Sequence, residues 1–423
     1  MLGRRAVLSG DVVRDEDVLD EIDRWSRSEP SLDAPPFLLS AEAYAALRAL
    51  HGDDDRFTAG STCHRAAVER HLAPVLRDIA EGRPASADEL RMLAETTRVD
   101  PVQAAFGADP SPDVVLERLR LLASVWTPFS RWWRDYFADT SDAPVVDLWQ
   151  LYLPFARWIV REKRSRRPDG LFVMGFNGSP GAGKTVLTTA LTVVVDQLLD
   201  VATEGRAIAR SGDDWYLGRA DREPLRALGY DPGVPGVTNR SLPGTHDLDW
   251  LLRNLAELER STPGSVVRMG NFDKRIDDQP TGDDRFFEVR GKVGVLLFDL
   301  WFAGARTDVD PMVVPDGLGR RVAEHLRRWR PVFERLDGLW AFDWPSFERM
   351  TREREAQERL VEQRRGTRGM SREGVRAFMS YMVERSWDWR TTSPVPPEQA
   401  VTFRAWRDTN HRVIAVQRGG RAT

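Results

Sequence analysis

At 423 residues the chain exceeds one small core, and two or three domains of roughly 100–200 residues are expected. A net charge of −4 with 30% charged residues excludes a global pull towards nucleic acid or anionic membrane, so any basic site must be local. Cys63 is the only cysteine, which excludes an intrachain disulfide and a multi-cysteine zinc site; without an 18-residue apolar run or an apolar signal core, a cytoplasmic protein is expected.

Residues 1–165 read as a mostly helical region of no recognisable chemistry. Apolar residues recur near the 3.6 period in Ala41–Leu50, Asp113–Leu122 and Leu148–Arg161, and Pro/Asp/Ser-rich loops such as 28–31 and 108–112 separate them. The aromatic run Trp126, Phe129, Trp132, Trp133, Tyr136, Phe137 has helical spacing and reads as packing. A charged, turn-rich stretch at 161–170 marks the boundary to a second domain over 166–423.

From Leu171 short apolar runs alternate with longer segments of helical period, the pattern of an α/β fold with a parallel sheet covered by helices. Strands are expected at about 171–177, 206–211, 265–269, 293–299, 339–342 and 412–416. After the first comes Phe-Asn-Gly-Ser-Pro-Gly-Ala-Gly-Lys-Thr, which fits the Walker A pattern completely and is followed by a helix-like segment, Val186–Leu199. Gly178, Ser179, Pro180, Gly181, Ala182 and Gly183 would wrap the phosphates with backbone amides, Lys184 would span β- and γ-phosphate, and Thr185 would offer a hydroxyl to Mg²⁺. Neither an Asn-Lys-x-Asp guanine reader nor a Leu-Ser-Gly-Gly-Gln transporter signature occurs, which disfavours GTPase switches and transport ATPases. Lysine is scarce, at Lys163, Lys184, Lys274 and Lys292 only, yet two of the four fall inside motifs.

At the tip of the second expected strand stand Asp213 and Asp214, followed by Tyr216. Ligands of open α/β sheets bind at that edge. A kinase acting on an alcohol needs a carboxylate to orient the hydroxyl and take its proton, a role open to Asp213, with Asp214 helping to hold Mg²⁺ or its waters. A capping Asp pair in a turn is the plainer alternative. Further along, Pro243-Gly-Thr-His-Asp247 joins a tight turn to an amphipathic helix starting near Leu248. His246 and Asp247 could bond a polyhydroxy acid and Arg240 its carboxylate, or Asp247 could simply cap the helix with His246 exposed. Lys274 and the Asp284-Arg285 pair could converge on an anion or be ordinary ion-pairing loop residues. Val293–Trp301 is a continuous apolar run ending in a Walker-B-like carboxylate, Asp299.

The Asp-x-aromatic arrangement after the second strand resembles the phosphoribulokinase, uridine kinase and pantothenate kinase group. The series Leu151–Ile159, Arg240–Leu258, Asn271–Arg285, Val295–Gly304 and Arg368–Met382 resembles D-glycerate 3-kinases of the plant and yeast-like type, in order and approximate spacing over about 148–417. This resemblance implies a P-loop kinase fold, Asp213 as base, Thr185 and Asp299 on the metal, and Asp214, Tyr216, Arg240, His246, Asp247, Lys274, Arg285 and Trp301 on the substrate side. It also implies an arginine-bearing lid over about 346–376, with Arg354 first among Arg352, Arg354, Arg359, Arg364, Arg365 and Arg368 to reach ATP, although interleaved glutamates make most of these solvated pairs. Two places depart from the family pattern: Phe298-Asp299-Leu300-Trp301 stands where Phe-Glu-Gly-Trp is usual, and Asp283-Asp284-Arg285 where Gly-Asp-Arg is usual. The expectation is a kinase using Mg²⁺ and ATP on a small anionic or polyhydroxy metabolite, D-glycerate first, without nucleic-acid or membrane partners. Another acceptor, or a nucleotide-gated regulatory protein, are the alternatives.

Overall fold

The computed structural model describes residues 72–137, 143–314, 317–365, 369–386, 389, 401–407 and 411–419. The helix expected at 41–50, the turn at 28–31, Cys63, Arg368 and the side chains of Arg364 and Arg365 lie outside the described residues. The chain divides into two compact units, one of Met1–Arg161, Val193–Leu198 and Phe403–Gly419, the other of Glu162–Thr192, Leu199–Thr402 and Gly420–Thr423.

In the first unit, helix α1 (Ala87–Val99) opens with a capping box in which Ser86 Oγ accepts from the Glu89 amide and Glu89 accepts from the Ser86 amide. Asp100 caps α2 (Pro101–Ala105) through the amides of Val102 and Gln103, with Pro101 where no donor is needed. Helix α3 (Pro112–Phe137) runs well beyond the expected Asp113–Leu122 segment. Its aromatic run packs as expected: Trp133 and Phe137 centroids are 4.2 Å apart and Phe129 lies 5.5 Å from Tyr152. A π-helical turn, Leu148–Tyr152, leads into α4 (Leu153–Arg166).

The second unit carries the parallel strands. Strands β1 (Phe172–Asn177) and β2 (Arg206–Ser211) flank α5 (Lys184–Leu198), and α6 (Leu248–Glu259) precedes a hairpin of β3 (Val266–Gly270) and β4 (Phe286–Arg290). Strand β5 (Val293–Asp299), helix α7 (Leu318–Arg328), strand β6 (Gly338–Phe342) and helices α8 (Phe347–Arg365) and α9 (Arg372–Val383) follow. Strands β2, β5, β1 and β6 lie in that order and all pair in parallel. Every residue of β1, β5 and β6 is buried, which explains why these strands read as unbroken apolar runs. Phe176 and Ser211 both pair with Asp299, so β1, β2 and β5 end level and present their carboxyl ends along one edge.

Two expectations are corrected. The strand foreseen at 265–269 is not in the parallel sheet; it pairs antiparallel with β4 in a separate two-stranded sheet. Its alternation of exposed and buried residues marks a strand covered on one face only. The C-terminal hairpin of β7 (Val401–Arg407) and β8 (Val413–Arg418) groups with the first unit rather than with the domain expected over 166–423. The cause is packing: Phe403 sits among Phe106, Phe155 and Trp158, with centroids 5.1, 5.8 and 4.8 Å away, and α2 packs on β8. Among the described residues no helix is long and apolar enough to cross a membrane.

Candidate active site

The loop after β1, where the sequence predicts a phosphate cradle, is curled tightly by Gly178, Gly181 and Gly183, all at positive φ. Gly181 has φ +86°, and a Cβ there would lie 3.2 Å from the Glu353 carbonyl carbon and 3.3 Å from the Arg354 amide, so α8 backbone lies directly against the loop. Gly178 holds φ +153° with Phe342 Cβ 3.0 Å from where its own would be. The Lys184 ammonium donates to the Gly178 and Ser179 carbonyls at 2.8 and 3.1 Å, folded back over the loop that it would serve. Ser179 Oγ is buried without a hydrogen-bond partner, while the Ala182 amide bonds the Ser179 carbonyl and Pro180 and Gly183 stay partly open. An orphaned hydroxyl in a glycine-lined cradle is a polar vacancy that phosphate oxygens fit.

Thr185 Oγ1 donates to Asp299 Oδ2 at 2.7 Å. Burial pushes the Asp299 carboxyl up, and the Lys184 charge and the Thr185 bond only partly offset it. A hydroxyl beside a buried carboxylate is an oxygen donor set that suits Mg²⁺, which uses one or two carboxylates and keeps several waters. Asp299, at the tip of β5, thus stands within hydrogen-bond reach of Thr185.

Asp213 sits in a tight 3-10 turn, Gly212–Trp215, at the tip of β2. Its Oδ2 pairs with Lys274 Nζ at 2.6 Å and its Oδ1 accepts from the Tyr216 hydroxyl at 2.5 Å. Burial pushes this carboxyl up, but Lys274 and the Tyr216 bond outweigh it and hold Asp213 well below the usual carboxylate range. Tyr216 is buried, lies 4.5 Å from the His246 ring and 5.2 Å from Phe272, and keeps its proton because burial and the Asp213 charge raise its pKa. His246 is also buried, and neither ring nitrogen makes a well-formed hydrogen bond among the described residues. Burial, opposed by the Asp213 charge, pushes its imidazole down to about 4, so it is neutral at physiological pH. The structure thus brings Asp213, Tyr216, His246 and Lys274 together from three separate segments.

Arg240 pairs with Asp277, a residue at φ +53° that also accepts from Thr238 Oγ1 at 3.0 Å and pairs with Arg222 at 3.1 Å. Arg354 is clamped by Glu358 and by Gln357 at 2.7 Å, and its Nε is buried without a bond. Burial lowers its pKa, with Glu358 opposing, and Arg240, Asp213 and Tyr216 are within electrostatic reach. Its backbone lies against the cradle at Gly181, while its guanidinium is held by Glu358 and Gln357 over the Phe378 ring at 5.8 Å.

Three expected contacts are engaged in structural bonds. Asp214 accepts from the Ser211 amide and pairs with Arg210, each at 2.9 Å, and so holds the turn. Asp247 caps α6 through the Trp250 amide at 2.9 Å. Trp301 is buried, bonds the Ser241 carbonyl at 3.0 Å and packs on Trp389 at 4.4 Å, while its carbonyl accepts from Gly178; it supports the loop from within. Arg285 is exposed over the Phe286 ring at 5.7 Å, and no described contact joins it to Asp213. Sequence reading missed Asp277 and the fully buried Arg222, because nothing local separates an Asp-Asp turn that collects two arginines from one facing water.

No family model matches the chain. The uncharacterized kinase mug58 of Schizosaccharomyces pombe is 23% identical over 241 residues, 52% of this chain and 82% of that protein. Similar solved structures include a D-glycerate 3-kinase from Cryptococcus neoformans var. grubii, at 18% identity and TM-score 0.48, covering 63% of this chain and 99% of that one. A possible uridine kinase from Bacillus stearothermophilus is similar at 16% identity and TM-score 0.28, covering 49% and 90%. The parallel β2-β5-β1-β6 order, the glycine-lined loop after β1 and the carboxylate at the tip of β5 make this an α/β P-loop fold.

Proposed function

We propose that the protein is an ATP-dependent small-molecule kinase that transfers the γ-phosphate to a hydroxyl of a small polar metabolite, D-glycerate giving 3-phosphoglycerate being the first acceptor to test. The observation that carries this reading is Asp213, held ionised by Lys274 and Tyr216 on the same sheet edge as the cradle. A switch or motor has no use for an alcohol base. Asp213 is too acidic to strip a resting hydroxyl, but it orients the oxygen and takes the proton late, as bonding to phosphorus acidifies it. Lys184 and the loop amides hold the triphosphate. Lys274, once exchanged from Asp213, and Arg354, once exchanged from Glu358, would counter the charge of the transferring group, and α8 against Gly181 helps exclude water. Thr185 and Asp299 would hold Mg²⁺, which supplies charge neutralisation between the phosphates.

A second acceptor class is favoured by a specific feature. An open pocket of about 830 Å³ lined by Asn271, Phe272, Asp273, Lys274, Arg275, Pro280 and Asp284 lies beside the Asp213 partner and leaves room for an acceptor larger than a three-carbon acid. A nucleoside, sugar or specialised metabolite is the acceptor on that reading. ADP release across a panel of D-glycerate, nucleosides and sugar alcohols decides. Saturable turnover on D-glycerate supports the first reading, turnover on a nucleoside alone supports the second, and no acceptor-dependent turnover with intact ATP binding contradicts both.

A further inference from the structure

The turn carrying Asp213 is clamped on two sides by contacts that leave no room for a side chain. A Cβ at Gly270 would lie 2.4 Å from the Asp214 carbonyl oxygen, so the end of β3 packs backbone against backbone on the turn. A Cβ at Gly212 would lie 2.4 Å from Leu300 Cδ1 and 3.5 Å from its Cβ and Cγ. Gly212 is not among the residues of positive φ, so the glycine here provides space rather than an unusual conformation.

Leu300 has little freedom to retreat. It is 1% exposed, its amide donates to the Phe176 carbonyl at 3.1 Å, and its own carbonyl accepts from Ala303 at 2.8 Å. It directly follows Asp299, the carboxylate bonded to Thr185, and so wedges the metal-side strand tip against the turn of the base. The opposite face of the turn is held by Arg210, which bonds the Gly270 carbonyl at 2.5 Å and pairs with Asp214. A wedge in a close-packed interior transmits its size to whatever rests on it.

We propose that Leu300 is a positioning residue that, through Gly212, sets the reach of Asp213 towards the phosphoryl group at the cradle. The inference rests on Asp213 as the base and adds what fixes its place. Leu300 thus becomes a working part of the site, and Gly212 its matched counterpart: a larger residue at 300 is tolerated because 212 has no side chain. Loss of the wedge lets the turn sink towards the vacated space, and a displacement of about 1 Å at a reacting group costs on the order of 100-fold in rate.

Steady-state kinetics on Leu300→Ala, with whichever of D-glycerate, uridine or xylitol the wild type turns over, tests this. The expected result is a kcat lower by roughly 100-fold with KM for ATP unchanged. Leu300→Met, which conserves volume, should restore most of the rate, and Gly212→Ala combined with Leu300→Ala should recover more than either single change predicts. A purely structural role would lower Tm and the yield of active protein but leave kcat per nucleotide-binding site untouched. Should Leu300→Ala fail to fold, Leu300→Val makes the same comparison with a smaller expected loss. An unchanged kcat in the folded variant, with Asp213→Asn inactive, overturns the proposal and leaves the base standing. Full turnover by Asp213→Asn overturns the base, and this inference with it.

Discussion

On the donor side of the site, the predicted phosphate-binding residues run consecutively from Gly178 to Thr185, and the buried hydroxyl among them, Ser179 Oγ, has no hydrogen-bond partner among the described residues. On the acceptor side, Asp213, Arg240, His246, Lys274 and Arg354 come from four segments, with Arg240 and His246 in the one loop before α6, and all but His246 form ion pairs: Asp213 with Lys274, Arg240 with Asp277, Arg354 with Glu358. The cradle is preformed because glycines and a helix start fix it locally. The acceptor side is held by charges that already satisfy one another, so binding there must exchange partners. On the proposed function, the first half sets which donor is used, and the second sets what is phosphorylated and how strictly.

Substitutions can break this contrast in order of size. Lys184→Ala removes the only lysine of the cradle, and ADP release should fall by roughly 1,000-fold or more, with nucleotide affinity falling too. Asp213→Asn should lower kcat by about 100- to 10,000-fold while ATP affinity, measured by calorimetry, stays within twofold. Loss of affinity in that variant would merge the two halves into one. Lys274→Met should cost less, roughly 10- to 100-fold, and it should move the pH profile in a defined direction. Lys274 is what outweighs burial in keeping Asp213 acidic, so its loss raises the Asp213 pKa and shifts the acid limb of kcat/KM to higher pH.

The smallest effect concerns stability. His246 is pushed down to about 4 in the folded chain, from an ordinary value near 6.5. Between those values the unfolded chain binds the extra proton, so stability is full above about pH 6.5 and declines as pH falls towards 4. The decline from this group reaches at most about 3 kcal/mol. His246→Gln should flatten Tm against pH over that window, which thermal melts at pH 7.5 and 5 can read.

The contrast also governs what the sequence disclosed. The cradle was legible because its chemistry is contiguous and its strand and helix are local, and Asp299 was legible because a fully buried strand ends on a carboxylate. Asp213 could be placed from its position after β2, but its partnership with Lys274 depends on a β3–β4 hairpin whose pairing no local pattern reveals. The capping bonds of Asp214 and Asp247 could not be told from binding roles in the sequence, because a capping carboxylate and a binding one are the same residue at the same kind of turn. Only the direction of the side chain separates them. Leu300 stood out as a departure, yet its meaning lay in Gly212, far away in the chain and unremarkable by itself.

The central claim is that one chain joins a preformed donor cradle to a separate alcohol base. Burst and steady-state ADP release by wild type and Asp213→Asn, side by side with the acceptor panel and an ATP titration, tests it most directly. The account predicts acceptor-dependent release in the wild type, and none in a variant that still binds ATP normally. Equal release by both proteins, or release that ignores every acceptor, would contradict it.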